Sequence, residues 1–172
     1  GSTTGGSTTG GSTTGGSTTG GSTTGGSTTG GSTTGSERMV ELVGGNSSAT
    51  YKVTGNTLNV QNDAACVVLY TIDNGETYTK LAATANKAGG YDFDLTNVPA
   101  NAVIKIAIQG DFNMDGSVDA LDAVMVNRAA AGLLPHNELQ SQIGHVGGSD
   151  ALDGLDALLI NRSAAGKYTI AW

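Results

Sequence analysis

Two hydrophobic periods divide the chain. Between residues 39 and 109 the apolar positions come in short runs, some alternating with polar residues and some unbroken. Thr50, Lys52 and Thr54 alternate with Tyr51 and Val53, the period of a half-buried strand. Strands are predicted at 39–43, 49–54, 57–60, 66–72, 77–82, 91–95 and 103–108, separated by turn signals such as Gly44-Gly45-Asn46, Gly55-Asn56 and Asp73-Asn74-Gly75. Beyond Gly110 the period becomes helical. Over 120–131, Leu121, Val124, Met125 and Arg128 share one face, and Ala123, Val126 and Ala130 the opposite one. Pro135 to Ile143 reads as a short connecting helix.

The helical pattern occurs twice. Residues 119–132 lie over 153–166 at an offset of 34, with nine of fourteen positions identical. In the second copy Leu155, Leu158, Leu159 and Arg162 oppose Ala157, Ile160 and Ala164. Gly132 and Gly166 stand where glycine ends helices in the left-handed conformation. A helix apolar on two opposite faces is usually covered on both. About sixty residues barely bury one core, so the spare face points to a partner, or else to a core shared with the β segment. Periodicity alone does not say which face that is.

The segment before the first helix reads Asp-Phe-Asn-Met-Asp-Gly-Ser-Val-Asp-Ala-Leu-Asp over 111–122. It places Asp111, Asn113, Asp115, Ser117, Asp119 and Asp122 at loop positions 1, 3, 5, 7, 9 and 12, with Gly116 at position 6. That spacing wraps a backbone around a hard cation, and Ca²⁺ takes six to eight oxygens at about 2.3–2.6 Å. The bland alternative is an acidic turn that only caps a helix. A strand enters this loop and a helix leaves it, so it is half of an EF-hand. The second copy of the loop, 145–156, has His145, Gly147 and Ser149 at positions 1, 3 and 5, and Asp150 in place of the glycine. Only Asp153 and Asp156 keep their acidic character, so this site is expected to be weak or empty.

A duplicated calcium loop plus helix resembles the dockerin modules of bacterial polysaccharide-degrading complexes, cellulosomes and amylosomes, over residues 110–167. The resemblance implies a secreted, scaffold-attached protein docked non-covalently on a cohesin, with Ca²⁺ as structural cofactor. The residues matching the family's contact positions are Ala120, Leu121, Asn127, Arg128 and Gly132, then Gly154, Leu155, Asn161, Arg162 and Gly166. The apolar face adds Val124 and Leu158. One contact position is often basic in the family, but here it is Asn127 and Asn161. Two look-alike faces also imply that either one docks, by a half-turn of the module. The preceding β segment resembles the "X" modules that accompany dockerins. The expected fold class is therefore mixed: a small Ig-like β-sandwich at 38–109 packed on an all-α dockerin of two antiparallel loop-helix repeats at 110–172.

Residues 1–35 are seven copies of Gly-Ser-Thr-Thr-Gly, and 1–37 read as a flexible linker spanning on the order of 30–35 Å. The chain opens on Gly1 and shows no signal-peptide pattern, so it reads as a fragment. Fifteen acids face eight bases, and after Gly110 eight acids face three bases, which argues against a nucleic-acid partner. No run is long enough to span a bilayer. The lone Cys66 reads as a core thiol, and His136 and His145 pair with no nucleophile motif, so no enzyme is expected. The alternative function is a carbohydrate-binding sandwich with a calcium-stabilised appendage. It would need exposed aromatics, for which Tyr51, Tyr70, Tyr78 and Tyr91 are the candidates.

Overall fold

The computed structural model describes residues 38–46, 48–149 and 151–172. The linker read at 1–37 lies outside them, as do Ser47 and Asp150. The strands are β1 (Met39–Leu42), β2 (Thr50–Thr54), β3 (Thr57–Gln61), β4 (Cys66–Thr71), β5 (Thr79–Lys80), β6 (Ala83–Ala85), β7 (Tyr91–Asp94) and β8 (Val103–Ile108). Three helices follow: α1 (Ala120–Ala130), α2 (Glu138–Gly144) and α3 (Gly154–Ala164).

The strands form two four-stranded sheets, ordered β1-β8-β4-β5 and β2-β3-β7-β6. Their inner faces share one core, with Leu58, Val60 and Phe93 from the second sheet meeting Cys66, Val68, Ile104 and Ile106 from the first. The second sheet alternates as a one-sided sheet should. Leu58 and Val60 of β3 are buried, while Thr57 and Gln61 are exposed. The first sheet is different. The other face of β4 and β8, carrying Val67, Leu69 and Ala107, is covered by Ile143 and Leu139 of α2 together with Val43, Tyr78 and Met114. A strand covered on both faces needs apolar residues on both, hence the unbroken runs Cys66-Val-Val-Leu and Ile106-Ala-Ile.

The expected fold class is overturned. The molecule is mainly β, with eight strands in two sheets and three short helices among the described residues. There is no all-α dockerin unit standing apart from a sandwich. α2 lies on the outer face of the β1-β8-β4-β5 sheet, while α1 and α3 pack on each other beside it. Within the first sheet the first and last strands pair in parallel, Met39 opposite Val103. Strand and helix do mix, and the two sheets do face each other. What periodicity could not show is that α2 completes the sheet's covering.

Particular residues tie the helical layer down. Gln109 is buried at the end of β8, and its Nε2 donates to the carbonyls of Ile143 (2.7 Å) and His145 (3.0 Å) at the end of α2. The helices share their own core of Phe112, Ala123, Val126, Ala157, Ile160 and Ile170. The last residues then return to the sandwich, where the Trp172 ring stacks on Tyr91 with centroids 4.3 Å apart. The strand predicted over 77–82 pairs only at Thr79–Lys80, and the chain then forms β6 beyond it.

Candidate functional site

The first loop winds around two buried carboxylates. Asp111 is 2% exposed, and its oxygens accept from the N–H groups of Asp115 (3.1 Å) and Gly116 (2.9 Å). Gly116 sits at φ +97°, a conformation that favours glycine. Asp122 is fully buried and accepts from the N–H groups of Asn113 (3.0 Å) and Asp119 (2.9 Å). Asp119 in turn accepts from Leu121 N–H at 2.7 Å, so Asp119 and Asp122 form a capping box at the start of α1. The helix-capping role weighed in the sequence is therefore present, and Asp122 serves both the cap and the loop. Asn113 Nδ2 donates to Asp115 at 2.8 Å, while Asp115 accepts from Ser117 N–H at 3.0 Å. Asn113 is half-buried; Asp115, Ser117 and Asp119 are exposed.

These carboxylates lack charge compensation. Burial pushes the Asp111 carboxyl up to about 6, and repulsion from Asp122 and Asp115 adds to it against the loop's hydrogen bonds. Burial likewise raises Asp122 above the usual carboxylate range. The one ion pair among the described residues, Lys105 with Glu41, is elsewhere. Buried anions without a cationic side chain fit a bound cation, and the oxygen donors suit a hard one. The carboxylates are not a closed ligand set on their own, because among the described residues no three His, Cys, Asp or Glu side chains gather in a metal-binding arrangement. The oxygens of Asn113 and Ser117 are the further donors that the loop spacing offers.

The second loop is built on the same frame and closed differently. Asp156 is fully buried and accepts three backbone N–H groups, from Val146 (2.8 Å), Gly147 (2.6 Å) and Asp153 (2.9 Å). Gly147 leaves the room for this, since a Cβ there would lie 3.0 Å from Asp156 Oδ1. Asp153 caps α3, accepting from Leu155 N–H at 2.7 Å, and its carboxyl is held below the usual range by such backbone bonds. His145 ends α2 rather than facing a cation, and its Nε2 lies 3.4 Å from Ser149 Oγ. Both loops thus carry the same capping box, but only the first adds acids at its opening positions.

The structure also distinguishes the helix faces. Ala123, Val126, Ala157 and Ile160 are buried in the helical core. Ala130 and Ala164, placed on that face by periodicity, are exposed. On the other side, Ala120, Leu121, Val124, Asn127, Arg128, Gly154, Leu155, Leu158, Asn161 and Arg162 are all exposed. Leu121, Val124, Leu155 and Leu158 show 46–54% of their surface. Gly132 and Gly166 take φ of +72° and +68° and end the two helices alike, with Leu133 N–H and Lys167 N–H each 2.8 Å from an arginine carbonyl. Of the tyrosines weighed for sugar stacking, Tyr51, Tyr70 and Tyr91 pack against the sandwich core and Tyr78 against the outer cluster.

Sequence reasoning missed Met114, Gly44 and Gly45, which join the first loop to the sandwich, and Gln109, which staples α2 to β8. A Gly-Gly pair after a strand marks a turn, but nothing in its pattern names the loop it meets. Comparison with protein-family models, with curated proteins and with solved structures returned no match.

Proposed function

We propose that the chain is a non-catalytic, calcium-stabilised docking module that attaches a secreted polysaccharide-degrading protein to a cohesin on a scaffold. The observation that carries this reading is the matched pair of exposed apolar sites. Leu121 and Val124 on α1 recur as Leu155 and Leu158 on α3, each pair followed by an exposed arginine, Arg128 or Arg162. Isolated exposed leucines need no explanation, but large apolar side chains left open at equivalent positions of a repeat suit a protein partner.

Bound at the first loop, calcium would supply positive charge to Asp111 and Asp122, with Asn113, Asp115, Ser117 and Asp119 completing its oxygen set. Asp111 holds the N–H groups of Asp115 and Gly116, and Asp122 links the loop to the first turn of α1. Those residues fix where α1 begins and so where Leu121 and Val124 stand. The arginines suit an acidic rim on the partner, which fixes register more than it adds affinity.

A pull-down against a panel of cohesins, with calcium and with chelator, tests the reading. Capture by at least one cohesin in calcium and its weakening in chelator is expected; capture by none, or capture indifferent to chelator, contradicts it. If either face docks, Leu121→Ala with Arg128→Ala leaves binding, as does Leu155→Ala with Arg162→Ala, and only the fourfold variant abolishes it. Loss on changing one face alone rejects the dual mode.

A further inference from the structure

Two contacts hold the first loop, one with the turn after β1 and one with the apolar cluster under α2. The turn after β1 lies backbone to backbone against the loop. A Cβ on Gly44 would fall 2.5 Å from Met114 O and 2.8 Å from Met114 Cβ, and one on Gly116 would fall 2.6 Å from Gly45 O. A Cβ on Gly45 would run into Asp115 O. Met114 itself packs against the apolar cluster of Val67, Leu69, Ala107 and Ile143. Met114 does so at φ +59°, a left-handed conformation that a non-glycine residue adopts only when its surroundings impose it.

Both grips bear on Asp111. The N–H groups that its carboxylate accepts belong to Asp115 and Gly116, the residues lying against Gly45. A displacement of that backbone moves the donors that aim Asp111. From this geometry we infer that Gly44, Gly45 and Met114 are positioning residues for the cation loop: the sandwich holds the loop in its binding shape, and calcium affinity depends on side chains and backbone that never touch the ion. The inference rests on the cation reading above. Preorganisation of this kind raises affinity by lowering the ordering cost of binding.

The test is calorimetric calcium titration of the full chain and three variants, each confirmed as folded by circular dichroism. Gly45→Ala inserts a Cβ into the contact. Met114→Gly removes the anchor while easing the backbone, so it carries the test if Gly45→Ala fails to fold. Val60→Ala weakens the core far from the loop and controls for general destabilisation. The expected result is calcium binding weakened at least about fivefold in Gly45→Ala and Met114→Gly, with Val60→Ala unchanged at a temperature where all are folded. Unaltered affinity in either folded loop variant, or an equal loss in Val60→Ala, overturns the inference while leaving the cation reading intact. An unmodified chain that binds no calcium overturns both.

Discussion

The two loops start from nearly the same helix and reach closure by different chemistry. In the second, one buried carboxylate, Asp156, collects three backbone N–H groups and the opening positions carry no acid. In the first, Asp122 collects two, and a second buried carboxylate, Asp111, sits beside it without a cationic side chain. One loop is balanced by its own peptide groups. The other has negative charge left over. On the proposed reading, a duplicated unit holds one half permanently and makes the other half conditional on an ion, while both leave an apolar pair exposed, Leu121 with Val124 and Leu155 with Leu158.

The sharpest way to break the comparison is to remove the self-closed half's acceptor. Asp156→Ala leaves the half-buried N–H groups of Val146, Gly147 and Asp153 without their acceptor, at roughly 1–3 kcal/mol for each group that water cannot reach. A fall of about 3–5 kcal/mol in unfolding free energy is expected by denaturant titration. The fall should be the same with calcium and with chelator. A loss that appears only in chelator would mean that the second loop also depends on metal.

Asp111→Asn addresses the other half. It removes the surplus charge but turns one of the two accepting oxygens into a donor, so the calcium-induced rise in Tm should vanish while the metal-free protein loses no more than about 1–3 kcal/mol. In the parent chain a saturating ligand at a hundred times its Kd contributes about 2.7 kcal/mol, which sets the scale of the effect lost. The acidity of Asp111 gives this a pH signature. Its folded value of about 6 lies above the ordinary 3.8. The metal-free fold therefore holds a proton that the unfolded chain has released in that window. The group's contribution is present below the ordinary value and is lost as pH rises through the folded one. Calcium needs the ionised form, so its stabilisation should be larger at pH 7 than at pH 5. A calcium effect independent of pH would move the ion away from Asp111.

The smallest expected effect comes from one substitution made at equivalent positions. Asp119→Asn and Asp153→Asn both retain a good N-cap, and each should change stability by less than about 0.5 kcal/mol. Only Asp119→Asn should weaken calcium binding in a calorimetric titration. Equal responses of the two variants would erase the distinction between the loops.

Much of this was legible in local pattern. Six of the seven strand segments, the helix from Ala120 with its repeat, and the glycine stops at Gly132 and Gly166 are short-range features, and short-range chemistry decides them. The opening acids of the first loop and their absence from the second were legible for the same reason. The layering was not. The runs at 66–69 and 106–108 say that a strand is covered on both faces, but not by what; here α2 supplies the second cover with Ile143. Reading them only as sandwich core left the helices to form a module of their own. The grip of Gly44 and Gly45 on the first loop depends on a meeting of backbones some seventy residues apart in the chain, and no local pattern encodes it.

Hydrogen exchange followed amide by amide, with calcium and after chelation, tests the central contrast most directly. Chelation should speed exchange at Asn113, Asp115, Gly116 and Asp119, whose N–H groups serve the first loop's carboxylates. The amides of Val146, Gly147 and Asp153 should stay protected under both conditions. Equal loosening of the two loops, or no change in either, would contradict the account.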